Sequence, residues 1–300
     1  MKIEDVRKVV IVGGGTMGSQ ISLDCARAGF STVVHDLSEE VLEGIEERWK
    51  YLAFEWLGKG VCSKDDYDAA LKNLIRTTDP EEAARDADLL IEAVFEELEL
   101  KQKIFVQFEK LCPEKTVLAS NTSQLLPSQI EQNMSQKDRF CVFHFNWPGT
   151  VIDIQRGTKT SEPVVALLKD FSRKIGYLPI VTQKEIAGSI QGAMYSQWLM
   201  TALNLASGGF GTIEDIDRAW MRCWGGIMGP LASLDLVGID LVYQIGMNMK
   251  EAGVPGLEPL IDFLQPYIDR GHLGAKTGQG FYTYPNPVWA QPDFLEGEAG

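Results

Sequence analysis

Residues 8–29, KVVIVGGGTMGSQISLDCARAG, decide the fold class. KVVIV is a β-branched run without polar alternation, as expected of a strand buried on both faces. A glycine turn, Gly13-Gly14-Gly15-Thr16-Met17-Gly18, follows at once, and SQISLDCARAG then places apolar residues at helical spacing and ends on a glycine. STVVHD supplies a second short strand, closing on Asp36. The order is strand, glycine turn, helix, strand and acid, which is the context a dinucleotide-binding fingerprint requires.

Each residue of the turn has a physical task. Gly13 allows the tight turn, Gly15 lets the backbone approach a pyrophosphate, and Gly18 lets helix and strand pack closely. The helix start at Thr16 and Met17 offers free N–H groups and a positive dipole end to the phosphates. Asp36 accepts hydrogen bonds from the adenine-side ribose and repels a 2′-phosphate, while Leu37 and Ser38 bring no arginine to hold one. The reading is NAD rather than NADP. FAD shares the fingerprint, but no second flavin-type signature is present. The bland alternative is a glycine turn that packs a helix and binds nothing.

Outward from this unit the alternation continues. Residues 39–75 read as a helical hairpin broken at Gly58-Lys59-Gly60. DADLLIEAVF, TVLASNTS, FCVFHFN, VIDIQ and LPIVTQ read as strands, and ELELKQKIFVQFEKL, LPSQIEQNM and EPVVALLKDFSRKIG as helices. This predicts an α/β fold, a Rossmann-type doubly wound and mostly parallel sheet. After Gln183 the pattern turns helical, with a strand-like FYTY at 281–284. The expected domains are a nucleotide-binding domain over 1–184, carrying the hairpin as an insertion, an all-helical domain over 185–284, and a loose tail over 285–300.

Composition narrows the classes. A chain of 300 residues that is 45% hydrophobic can build two cores without covalent staples. Its five cysteines (Cys25, Cys62, Cys112, Cys141, Cys223) are scattered with no CxxC pair, which argues for free thiols in a reducing compartment and against a zinc site. The first residues show no secretory leader, so a cytoplasmic enzyme is expected. The uncharged stretch 186–213 is interrupted by Gln191, Gln197 and Asn204, and reads as a buried helix rather than a membrane span. A net charge of −14 speaks against nucleic acid as a partner.

Oxidation of an alcohol by NAD needs a base, and histidine suits the task because its pKa lies near working pH. The chain has three histidines. His35 lies beside Asp36 on the adenosine side, and His272 lies in a polar loop. His144 ends a late strand, where open α/β sheets bind their ligands.

Six stretches carry a family resemblance: IVGGGTMGSQIS, IEAVFE, SNTSQL, FHFNWP, GPLASLDLVGID and LGAKTGQGFYTY. In these the chain resembles the L-3-hydroxyacyl-CoA dehydrogenase family, in the family's order and over nearly its whole length to about residue 284. The resemblance implies His144 as general base, Ser123 on the substrate hydroxyl and Asp153 as the acid that orients the imidazole. It places Glu96 and Lys101 near the nicotinamide ribose, with Asn121 and Asn146 in the matching cofactor-side turns. It further implies an acyl-CoA substrate received by the hairpin, and a homodimer formed through the helical domain. Structural alternatives stand beside these roles: Ser123 as a helix N-cap, Glu96 as a solvated helix start, Lys101 paired with Glu97, and Asp153 as a surface strand-end residue.

The departures are specific. Asp153 stands where the family has glutamate, and Gly192 and Ala193 stand where it has asparagine and arginine. The hairpin cations Arg48, Lys50, Lys59 and Lys64 are outnumbered by acids. These departures keep two rivals in view: a related dehydrogenase acting on a free hydroxy acid or unusual alcohol, and a non-catalytic NAD-binding protein.

Overall fold

The computed structural model describes residues 1–58, 62–146 and 149–297; Lys59, Gly60, Trp147 and Pro148 lie outside them. Two compact units result, Met1–Gln191 and Gly192–Gly300.

The first unit runs β1 (Lys8–Val12), α1 (Thr16–Arg27), β2 (Ser31–His35), α2 (Glu39–Gly58), α3 (Lys64–Leu71), β3 (Leu74–Thr77), α4 (Pro80–Ala84), β4 (Leu89–Glu92), α5 (Leu98–Leu111), β5 (Val117–Ser120), α6 (Pro127–Ile130), β6 (Phe140–Asn146), β7 (Val151–Arg156), α7 (Glu162–Lys174) and β8 (Leu178–Val181). The sheet has eight strands in the order β3-β2-β1-β4-β5-β6-β7-β8. All neighbours are parallel except β6 and β7, which form an antiparallel pair. The order reverses between β1 and β4, the switch point at which such sheets open a crevice. Two apolar clusters cover the sheet. One joins Val9, Ile11, Phe143, Phe145 and Ile152 to α1 and α7; the other joins Val10, Leu90, Leu118 and Val142 to α5.

Glycine is required at two points of the first turn. Gly13 has φ +109°, and a Cβ there would meet the Ala93 carbonyl oxygen at 2.7 Å. A Cβ on Gly18 would lie 1.8 Å from the Gly13 carbonyl oxygen, so any larger residue would push α1 off β1.

Three expectations need correction. The hairpin was expected to stay helical to residue 75, but Leu74–Thr77 is the edge strand β3. Its Ile75 and Arg76 side chains are exposed, so it lacks the apolar run of a central strand. FYTY forms no strand; its backbone is held by the Asp235 carboxylate. The tail is not loose over its described part. Phe294 is buried, and the Arg218 guanidinium donates to its carbonyl oxygen and lies over its ring.

The division between units also falls later than the change of sequence pattern at Lys184-Glu185. Side chains of the first unit hold the intervening segment. Gln155 accepts from the Ile186 N–H at 2.9 Å and donates to the Gly188 carbonyl at 2.6 Å, while Glu185 accepts from Ser128.

Helices α8 (Ile190–Ser207), α9 (Ile213–Trp224), α10 (Pro230–Val237), α11 (Ile239–Glu251) and α12 (Glu258–Asp269) complete the chain. The core of the second unit gathers Leu199, Leu203, Leu231, Leu234, Leu260 and Leu264. The uncharged stretch buries one stripe only: Leu199, Ala202, Leu203 and Ala206 are inside, while Met194, Leu205 and Phe210 are exposed. No helix among the described residues is long and apolar enough to cross a membrane.

Candidate active site

At the C-terminal end of β1 no side chain caps α1, so its first N–H groups stay available. A Cβ on Gly15 would meet nothing within 4 Å, so this backbone faces open space. Asp36 stands at the end of β2. Its carboxylate accepts from the Gly14 N–H at 2.8 Å and the Ser38 N–H at 3.0 Å. Each oxygen keeps a lone pair for a ribose hydroxyl. These features fit an NAD pyrophosphate and ribose, and Leu37 beside them is exposed. His35 is buried, with Nδ1 3.2 Å from the Thr77 carbonyl, and stays in the adenosine-side wall.

The loop after β5 is shaped by Glu96. One carboxylate oxygen accepts from the Thr122 hydroxyl, from the Ser123 N–H at 3.0 Å and from the Gln124 N–H at 2.8 Å. The other faces the Lys101 ammonium at 3.3 Å. Burial alone would raise the Glu96 pKa, but these donors and Lys101 outweigh it and hold the carboxyl below its ordinary value. Glu96 is therefore not a solvated helix start.

Lys101 has two carboxylate partners in the protein itself. It is 1% exposed, and its ammonium bonds Glu92 at 2.6 Å. It pairs with Glu92 and Glu96, not with Glu97, and acts on the loop through them. The reading of single residues missed Glu92. It is the other glutamate of IEAVFE, buried beneath the loop, where it also accepts from Ser120 at 2.6 Å. Burial pushes its carboxyl up, against the pull of Lys101.

Ser123 does not cap α6, whose N-cap is Leu126. Its hydroxyl instead lies 3.1 Å from His144 Nε2. Asn121 fixes the opposite strand by accepting from the Phe145 N–H at 2.9 Å. In the antiparallel register His144 stands directly opposite Asp153, so the two side chains share one face of the sheet. Asp153 is 1% exposed and is no surface residue. One of its oxygens accepts from Asn146 Nδ2 at 2.6 Å; the other, and His144 Nδ1, are buried without a hydrogen-bond partner among the described residues. Burial lowers the His144 pKa, against the pull of Asp153 and then Glu96.

Asn146, which the resemblance puts on the cofactor side, donates its amide to Asp153, and its oxygen accepts from the Ser189 hydroxyl at 2.9 Å. Ser189 carried no sequence signal. The FHFN and IDIQ alternations could have shown that His144, Asn146, Asp153 and Gln155 line one polar face. On the hairpin, Lys50 pairs with Glu47, Lys64 pairs with Asp68, and Arg48 donates to the Gly14 and Val41 carbonyls.

Comparison with known proteins gives the family. The family model described as "3-hydroxyacyl-CoA dehydrogenase, NAD binding domain" matches residues 8–186, and "3-hydroxyacyl-CoA dehydrogenase, C-terminal domain" matches residues 188–284. Hydroxyacyl-coenzyme A dehydrogenase, mitochondrial, of Homo sapiens is 32% identical over 93% of this chain and 91% of its own. The 3-hydroxybutyryl-CoA dehydrogenase of Mycobacterium tuberculosis strain H37Rv is 32% identical over 93% of this chain and 99% of its own. A solved diketoreductase, described by its dual catalysis of dicarbonyl compounds, superposes with a TM-score of 0.85 at 33% identity, covering 93% of this chain and 99% of that one. With the glycine turn, Asp36 and both domain models in place, the chain belongs to the 3-hydroxyacyl-CoA dehydrogenase family and is an NAD-dependent dehydrogenase acting on a CH–OH group.

Proposed function

We propose that this enzyme interconverts an L-3-hydroxyacyl-CoA and the corresponding 3-ketoacyl-CoA, with His144 as general base and acid. The observation that carries the assignment of roles is the 3.1 Å approach of Ser123 Oγ to His144 Nε2 at the carboxyl end of the sheet. A substrate hydroxyl seated there donates its proton to Nε2 and accepts from Ser123 Oγ–H. NAD, which the glycine turn and Asp36 would hold, would supply the hydride acceptor for the same carbon, and the product would be the ketone. Burial favours the neutral imidazole, which is the form that accepts a proton. In ketone reduction the imidazolium returns the proton. Asp153, opposite His144, stabilises that positive charge. Glu96, Glu92 and Lys101 keep the Ser123 loop in place.

The test is direct. Purified enzyme is supplied with NAD and L-3-hydroxybutyryl-CoA, free L-3-hydroxybutyrate or, in reverse with NADH, a β-diketone, and absorbance of NADH is followed. Turnover of the thioester alone supports the assignment; turnover only of substrates without CoA overturns it. The second outcome is a real rival because the described hairpin cations are already matched by Glu47, Asp68 and carbonyl oxygens, and because the diketoreductase neighbour is described as acting on dicarbonyl compounds.

The same reading places the enzyme in fatty acid metabolism and, with five cysteines unpaired, in a reducing cytoplasm. It also assigns a homodimer through the helical unit. Leu241, Ile245 and Met249 are partly exposed at a spacing that puts them on one face of α11. Sedimentation that finds a monomer at micromolar concentration removes the dimer.

A further inference from the structure

We propose that Asn146 and Ser189 are positioning residues that aim Asp153 at His144. Ser189 fixes the Asn146 amide, and the amide holds one carboxylate oxygen so that the other is kept for His144 Nδ1–H. The proposal rests on the reading of His144 as the base.

The geometry begins with the antiparallel register. His144 opposes Asp153, and Asn146, two residues further on, opposes Val151. Asn146 therefore reaches Asp153 along the diagonal of the same face. Its Nδ2 donates to Asp153 Oδ2 at 2.6 Å, while Ser189 Oγ donates to Asn146 Oδ1 at 2.9 Å. The hydroxyl sets the sense of the amide. Its oxygen takes the Ser189 proton, so its NH₂ must face the carboxylate. Ser189 is itself delivered by Gln155, which grips both Ile186 and Gly188.

What this clamp leaves unsatisfied is informative. Asp153 Oδ1 and His144 Nδ1 are buried polar atoms without a hydrogen-bond partner among the described residues, on residues directly opposite each other. A buried orphan acceptor costs about 1–3 kcal/mol. Two orphans on opposed residues form a pair held ready. When Nε2 faces a hydroxyl that donates to it, the neutral ring carries its proton on Nδ1. As Nε2 takes the substrate proton, Nδ1–H becomes the donor of an imidazolium, and a charge-assisted bond to Oδ1 is made. With Oδ2 held by Asn146, Oδ1 is the oxygen left for that bond.

The experiment compares Asn146→Ala, Ser189→Ala, Ser189→Thr, Asp153→Asn and the Asn146→Ala/Asp153→Asn double variant. It reads kcat, KM, NAD affinity by calorimetry, and the pH profile of alcohol oxidation. Loss of a hydrogen bond to a charged group, about 1.5–3 kcal/mol, corresponds to a roughly 10- to 100-fold fall in kcat for Asn146→Ala. KM and NAD affinity should hold. The acidic limb of the profile should move to lower pH, in the same direction as for Asp153→Asn. In the double variant the Asn146 change should add less than about threefold, because it acts through Asp153. Ser189→Ala should show a smaller fall that Ser189→Thr restores.

Additive effects in the double variant overturn the proposal. So does an unchanged kcat with weakened NAD binding, which would return Asn146 to the cofactor. If Asn146→Ala does not fold, Ser189→Ala with its pH profile decides, and a wild-type profile there sinks the clamp. His144→Gln separates the two readings. Full turnover in that variant ends the base assignment, whereas a dead His144→Gln beside an unaffected Asn146→Ala ends the clamp alone.

Discussion

Asp153 in the β6–β7 hairpin and Asp217 and Asp235 in the helical unit are all buried carboxylates, yet they are served differently. Asp217 accepts from the Leu231 and Ala232 N–H groups and the Tyr282 hydroxyl, which ties the start of α10 to the segment after α12. Asp235 accepts from the Phe281 and Tyr282 N–H groups and the Tyr284 hydroxyl. Both oxygens of each are occupied. Among the described residues Asp153 has one oxygen occupied and one without a partner, and the histidine opposite it has a nitrogen without a partner. A buried carboxylate whose capacity is met locally serves the fold. One left half-met opposite another orphan is what the role proposed for Asp153 requires.

The largest effect expected from this contrast is on turnover. His144→Gln should lower kcat by about two to four orders of magnitude, the usual contribution of a positioned base, with NAD affinity retained by calorimetry. Near-normal turnover would place the chemistry elsewhere.

Stability should divide the aspartates in the opposite sense. Asp235→Ala strands three donors, each costing about 1–3 kcal/mol if left buried, so the helical unit should unfold at clearly lower temperature in a calorimetric scan. Asp153→Ala removes an incompletely paired charge and strands one donor, Asn146 Nδ2, so the unfolding temperature should fall less than in Asp235→Ala while kcat falls. Equal losses of stability would erase the distinction between them.

The pH profile sharpens the same point. Burial holds His144 below its ordinary pKa and Asp153 partly offsets this. In Asp153→Asn the offset is gone, so the acidic limb of alcohol oxidation should shift to lower pH. In reduction, which needs imidazolium, activity should be lost at a lower pH than in the wild type.

Cofactor choice ranks next. Asp36→Ser should cost NAD on the order of tenfold in affinity, the value of a hydrogen bond to a charged group, and narrow the preference over NADP. The smallest effect is expected on the hairpin. Charge reversal of Lys50 and Lys64 should raise the KM for a CoA thioester a few-fold at low salt, and less at high salt. Both lysines are exposed and already paired, so solvent screening keeps the effect small.

The sequence by itself determined the frame of the nucleotide-binding unit. KVVIV, the glycine turn, the following amphipathic helix and Asp36 are contiguous, and local patterns suffice when the interacting parts are neighbours in the chain. FCVFHFN and VIDIQ were legible as strands for the same reason, and their alternation carried the polar face.

The tertiary structure alone decided what those side chains meet. LIRT looked like the end of a helix because this edge strand leaves Ile75 and Arg76 exposed on opposite faces and has no apolar run. Lys101 is held between Glu92 and Glu96, a pairing the sequence did not show, since strand and helix come together only when β4 and α5 pack. FYTY has strand-like residues but spends its first two N–H groups on Asp235, a carboxylate far earlier in the chain. Ser189 reaches Asn146 because Gln155 ties down a segment thirty or so residues beyond it. These partners are distant in sequence, and no short-range pattern encodes which of many buried polar groups will meet. Hydrogen-bond satisfaction in the folded core makes that choice, because a buried donor or acceptor left alone costs more than almost any local preference returns.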